Sequence, residues 1–198
     1  MNVAWTQAAE GLPRRVFTVE DVRRMVDAGV IAEDENFELI EGEFVMMASK
    51  SIAHDNVKHA LNLALARVVP DGVFVGVEAT LQLSDTILVE PDIAVINRSV
   101  YKADPKSFAK PTAADVLLLI EVAVSSMAYD RKVKARLYAR HGIREFWVID
   151  ANERITWVHT QPSGDAWTSI VERGPSETLT TPALPRSEER RVGKECAD

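Results

Sequence analysis

The chain has 198 residues, 46% of them hydrophobic and 27% charged, with a formal net charge of −7. This length and apolar content suit one folded domain and exclude a disordered chain. The acidic balance argues against a tight, non-specific DNA binder, although it leaves room for a local basic patch or an acidic site neutralised by metal. Cys196 is the single cysteine, which excludes an intrachain disulfide framework and a cysteine-based zinc site. The four histidines (54, 59, 141 and 159) form no HExxH pattern. No apolar run approaches the roughly 18 residues of a membrane span. The N-terminus lacks a charged-then-apolar leader, so the expected location is the cytoplasm.

Residues 1–16 are poorly patterned and read as an arm. FTVEDVRRMVDAG reads as a short helix, with Thr18 as N-cap, Asp21 three residues on and Gly29 at its end. FELIEGEFVMM, 37–47, reads as a hairpin turning near Glu41-Gly42. Residues 51–69 form an amphipathic helix capped by Ser51, its stripe made of Val57, Leu61, Ala64, Leu65 and Val68. VFVGVEATLQL (73–83) and ILVEPDIAVIN (87–97) read as two strands joined by a turn at Ser84-Asp85. Residues 98–114 are a connection. DVLLLIEVAVSS, 115–126, is the most apolar strand and belongs at the centre of a sheet. A helix follows over 129–142, stopped by Gly142, and three strands over 144–150, 154–162 and 166–173. The last stretch, PRSEERRVGKECAD, carries four basic and four acidic residues without a period, so the −7 belongs to the rest of the chain. The expected organisation is an arm (1–16), one α/β (α+β) domain around a mixed sheet (17–185), and a charged tail outside the fold (186–198).

Three residues sit where their chemistry is costly. Asp92 lies in the apolar string VEPDIAVIN, and Glu121 interrupts LLLIEVAV. A carboxylate in such surroundings must be paired or hold a metal. The third is Lys134, on the helix after Glu121. On a helical wheel of about 100° per residue, Lys134 falls between Leu137 and Tyr138, on the face that should pack on the sheet. Lys132, Arg136 and Ala139 fall on the far side. Two carboxylates on adjacent strands and one ammonium are the parts of a phosphodiester-hydrolysing site. The acids hold Mg²⁺ (or Mn²⁺), and the ammonium orients water or stabilises developing charge. The bland alternative is an edge acid paired with a base, and a lysine that snorkels past the core.

His54 lies on the apolar stripe of its helix, where it is either a satisfied core residue or a member of the site. Glu41 reads as a solvated or structural turn residue. Strand alternation puts Glu78 and Glu90 on the face of Asp92, as extra acids or as exposed charges. Tyr138 is one turn from Lys134 and either packs or takes part. The tryptophans and phenylalanines of the last strands read as core.

The strings FELIEGEFVMM, VEPDIAVIN, LLLIEVAVSSMAYDRKVKARLYARHGIREFWVID and WVHTQPSGDAW, with His54 opening its helix, resemble the PD-(D/E)xK nuclease superfamily. More narrowly they resemble its Uma-two family, whose members are assigned as endonucleases by inference. The likeness spans roughly residues 17–175. It implies a restriction-endonuclease-like fold, a mixed central sheet flanked by helices, and a Mg²⁺-dependent activity on DNA. Asp92 and Glu121 would be the metal-binding acids. The simple superfamily pattern places lysine two residues after the acid, where this chain has Ala123; in the Uma-two family the lysine stands on the next helix, with a tyrosine one turn later, and Lys134 and Tyr138 fit those places. Lys132 stands where a smaller residue is expected.

The first functional reading is therefore a metal-dependent endonuclease, with Asp92, Glu121, Lys134, His54 and Tyr138 as its site. It implies salt-sensitive contacts to DNA through Arg131, Lys132, Arg136 and Arg140, or through Lys102, Lys106 and Lys110. The alternative is a catalytically inactive binding or accessory module of the same fold, alone or as a homodimer. A third reading is a metal hydrolase of small phosphates.

Overall fold

The structure is a computed structural model. It describes residues 15–32, 34–47, 49–102, 110–182 and 184, with backbone only at 101 and 102. The expected arm (but for its last two residues), Lys106, the side chain of Lys102, the charged tail and Cys196 lie outside the described residues.

The chain divides into two compact units: Met1–Ser49 with Thr80–Glu90, and Lys50–Ala79 with Pro91–Asp198. The first unit contains helix α1 (Val19–Asp27) and a four-stranded sheet. The strands are β1 (Phe37–Ile40), β2 (Glu43–Met46), β4 (Leu81–Ser84) and β5 (Ile87–Val89), in the order β2-β1-β5-β4. The start of α1 follows from its sequence. Thr18 Oγ1 accepts from the Asp21 amide, while the Asp21 carboxylate accepts from the Thr18 amide and hydroxyl. This reciprocal cap satisfies donors that a helix start leaves open. Between β1 and β2, Glu41 and Gly42 both have positive φ, 51° and 81°, as a two-residue primed turn requires.

A Cβ at Gly42 would strike Val16 Cγ1 and lie 2.9 Å from the Phe17 carbonyl oxygen. Gly29 and Gly72 also have positive φ but face open space. Gly42→Ala is therefore expected to destabilise the first unit by about 2 kcal/mol or more, and Gly72→Ala its own unit by about 1. Urea denaturation of the two variants checks the order; equal losses would contradict it.

The second unit contains helix α2 (Ile52–Ala66) and a six-stranded sheet. Its strands are β3 (Val73–Val77), β6 (Ile93–Asn97), β7 (Val116–Ala123), β8 (Glu145–Asp150), β9 (Thr156–Ser163) and β10 (Ala166–Arg173), in the order β10-β9-β8-β7-β6-β3. β7, the most apolar strand, is interior as expected. All pairings are antiparallel except β7 with β8, which is parallel. A parallel pair needs a crossover, and the segment from Met127 to Arg140 supplies it in helical form. It runs as α3 (Met127–Tyr129), a π-helical turn (Asp130–Lys134) and α4 (Ala135–Arg140). The fold is thus a mixed α+β arrangement.

Two expectations need correction. The strands expected over 73–83 and 87–97 are each broken in two. Glu78 adopts φ +51 and ends β3, and Pro91 separates β5 from β6. The four pieces serve two different sheets. Asp92 consequently stands just ahead of β6 rather than inside it. Alternation does not run through these breaks, so it cannot place Glu78 and Glu90. The Glu90 carboxylate accepts from the Thr80 hydroxyl, and its amide donates to buried Glu38.

The second correction concerns the crossover helix. Ala139, on the expected far side, is buried. Ala139 lies at the edge of a wide buried face that also takes in Lys134, Ala135, Leu137 and Tyr138. Lys134, Leu137 and Tyr138 remain on the buried side, and Lys132 is exposed.

Leu61 and Leu65 of α2 pack against Ile93, Val95, Leu118, Ile120, Val122 and Trp147. Phe146 is buried too, whereas Trp157 and Trp167 are only half-buried. Burying Leu118, Ile120 and Val122 on the α2 side turns Glu121 to the opposite face of β7.

Candidate active site

The crossover helix returns across the sheet and carries Lys134 and Tyr138 to Glu121. Lys134 Nζ lies 2.9 Å and the Tyr138 hydroxyl 2.8 Å from Glu121 Oε1, both as donors. All three side chains are buried. Tyr138 is fixed by an edge-to-face contact with Phe146, ring centroids 4.9 Å apart. In the π turn, the Asp130 carboxylate accepts from Ser126 Oγ at 2.6 Å.

Asp92 is the second centre. Its Oδ2 accepts from His54 Nε2 at 3.0 Å and from the Val122 amide at 2.8 Å, and its Oδ1 accepts from Lys50 Nζ at 2.9 Å. The Val122 amide ties Asp92 to the strand that bears Glu121. Asp92 immediately precedes Ile93, whose partner Ile120 is the neighbour of Glu121 in β7. His54 is placed by the start of α2, where the Ser51 side chain accepts from its amide.

Burial pushes the Asp92 carboxyl up, but the hydrogen bonds from His54, Lys50 and Val122 outweigh it and bring the pKa down to about 2. A folded pKa below the unfolded value means that ionised Asp92 stabilises the fold above about pH 4. That contribution, about 2 kcal/mol, is lost as the pH falls from about 4 through 2. The stability gap between wild type and Asp92→Asn is therefore expected to narrow by more than about 1 kcal/mol between pH 6 and pH 2.5 in urea titrations. A gap that stays constant or widens would refute this linkage.

Beside Asp92 lies a chain of charges in which Glu78 and His54 are joined by Lys50, Lys58 and Asp55, three residues that the sequence does not single out. Lys50 bonds Glu78 as well as Asp92, and Lys58 bonds both Glu78, at 2.7 Å, and Asp55, at 3.1 Å. Asp55 Oδ1 in turn faces His54 Nδ1 at 3.4 Å. The two ammonium groups hold the Glu78 carboxyl below its usual range. Burial pulls Lys50 down, but its bonds to Glu78 and Asp92 carry it above its ordinary value. Lys58 was legible in principle, since it follows His54 by four residues on one helix face. Lys50 precedes the N-cap and belongs to no pattern.

The donor set suits a hard divalent ion. Asp92 is held ionised and is tied by the Val122 amide to the strand that bears Glu121, and Mg²⁺ typically takes one or two carboxylates with the rest water or phosphate. No group of three or more His, Cys, Asp or Glu able to hold a metal occurs among the described residues.

The expected basic surface is partly engaged elsewhere. Arg131 stacks on Trp157 at 4.0 Å, and Arg136 and Arg140 both bond Asp165. No described helix is long and apolar enough to cross a membrane.

The profile of the Uma2 family, described as "Putative restriction endonuclease", matches residues 19–192. The chain belongs to this family. A crystal structure of "a putative nuclease belonging to DUF820" from Anabaena variabilis ATCC 29413 superimposes with a TM-score of 0.70. It is 16% identical in sequence, and the alignment covers 91% of this chain and 97% of that one. The likeness establishes a common fold between the Uma2 chain and that protein. No curated protein matches.

Proposed function

We propose that this Uma2 chain is a metal-dependent DNA endonuclease that hydrolyses phosphodiester bonds at Asp92 and Glu121. The observation that carries the proposal is the buried Lys134–Glu121–Tyr138 cluster, with an ionised Asp92 tied to the strand of Glu121 by the Val122 amide. Membership of a family described as "Putative restriction endonuclease" and a fold shared with "a putative nuclease" support the same class. Asp92 and Glu121 would hold Mg²⁺ or Mn²⁺. The ion supplies charge neutralisation at the phosphate and a bound water of lowered pKa. Lys134 is a donor beside Glu121, placed to orient the attacking water or to meet negative charge that builds on the phosphate. Tyr138 aims the Glu121 carboxylate, and His54 aims Asp92. Lys132, exposed on the crossover helix, is a candidate phosphate contact.

One observation favours a second reading. Asp92 and Glu121 each already bond an ammonium, Lys50 and Lys134, so their charge is met without metal. A binding or accessory module, alone or as a homodimer, would also suit such a site.

Nicking of supercoiled plasmid with Mg²⁺ or Mn²⁺ separates the two. The endonuclease reading expects metal-dependent nicking by wild type that is lost in Asp92→Ala, Glu121→Ala and Lys134→Ala. No nicking, together with no metal bound, would move the assignment to the module. Nicking that survives all three variants would place the activity elsewhere.

A further inference from the structure

We infer that Lys50 is a tethered counter-cation, seated between Glu78 and Asp92, that competes with a divalent ion for Asp92. The inference rests on the reading of Asp92 as a metal ligand and concerns how that site is controlled. Three observations carry it.

The Lys50 ammonium bonds Asp92 Oδ1 and Glu78 Oε1 together, so one positive centre spans two carboxylates. A cation between anionic oxygens is also what a bound metal would be. The second observation is exposure. Asp92 is almost fully enclosed, while the side chain of Lys50 is 23% and that of Glu78 43% exposed. Lys50 therefore has a route outward. The third is Lys58, which bonds Glu78 independently and fixes it to α2. Glu78 keeps its place when Lys50 leaves Asp92, and it remains a partner for the displaced ammonium. Lys50 thus has two positions within reach of Glu78, one that blocks Asp92 and one that clears it. Metal binding must supply the difference between them, which makes occupancy of the site sensitive to metal concentration.

The experiment is a Mn²⁺ titration of the full chain, followed by loss of the electron paramagnetic resonance signal of the free ion. Wild type, Lys50→Met, Lys50→Arg and Asp92→Asn are compared, with folding checked by circular dichroism. Lys50→Met is expected to bind Mn²⁺ roughly tenfold tighter, because a positive charge in contact with the ligand is gone. Lys50→Arg keeps the charge and is expected to stay within about twofold of wild type. Asp92→Asn is expected to lose the site. Lys50→Gln carries the same expectation as Lys50→Met and replaces it if the methionine variant does not fold.

Equal affinity in wild type and Lys50→Met, with binding lost in Asp92→Asn, would overturn the competition and leave the metal reading standing. Weaker binding by Lys50→Met would make Lys50 a support of the site and also overturn it. Equal tightening by Lys50→Met and Lys50→Arg would assign the effect to geometry instead of charge. Absence of Mn²⁺ binding in every variant at millimolar metal would remove the metal reading and this inference together.

Discussion

Lys134→Met is expected to lower the stability of the second unit by about 3 kcal/mol, the scale for breaking a buried ion pair. The methionine fills nearly the same volume, so packing contributes little. The cost comes from the Glu121 carboxylate, which stays buried without that ammonium and keeps the Tyr138 hydroxyl as a donor. Removing both charges should be far milder. Lys134→Met combined with Glu121→Gln is expected to recover more than half of the loss, a coupling of about 2 kcal/mol in a double-mutant cycle. Urea denaturation at neutral pH measures it. Additive losses would mean that Lys134 and Glu121 act independently, contrary to the 2.9 Å contact.

Asp92→Asn is expected to reduce metal-dependent nicking by roughly 10³-fold, the scale of removing a principal electrostatic group from an active site. Asparagine keeps the shape but not the charge. Its amide also brings two donors where Lys50, His54 and the Val122 amide already donate. Residues that act through the acids should matter less. Tyr138→Phe and His54→Gln are expected to lose roughly 10–100-fold, as partners that orient a metal ligand typically do. Initial rates of plasmid nicking at matched metal concentration test the ranking. A larger loss in Tyr138→Phe than in Asp92→Asn would contradict the division of roles.

Much of the architecture could be read from local chemistry. Thr18 with Asp21, Ser51 before α2, the Glu41-Gly42 turn and the apolar β7 each declare themselves through short-range rules, and each has its counterpart in the fold. The grouping of Glu121 with Lys134 was legible because an acid in an apolar strand and a lysine on the packing side of the next helix have few other places to go. The errors have physical sources. VFVGVEATLQL has an uninterrupted apolar rhythm, and a glutamate at positive φ in its middle leaves no mark in composition. The buried face of the crossover helix is wider than its apolar stripe, so Ala139 falls inside it although the wheel puts it on the far side, while Lys134 is buried as the wheel places it. Lys50 escaped notice because it sits in a loop, 42 positions from the acid that it bonds. Long-range pairing of that kind is set by tertiary packing and not by local pattern.

The most direct test of the account is anomalous diffraction at the manganese edge from crystals soaked in Mn²⁺. One peak is expected, held by oxygens of both Asp92 and Glu121 as suits a small hard divalent ion, with Lys50 withdrawn from Asp92. A structure at high Mn²⁺ with no peak there, and with Lys50 still bonded to Asp92, would contradict it.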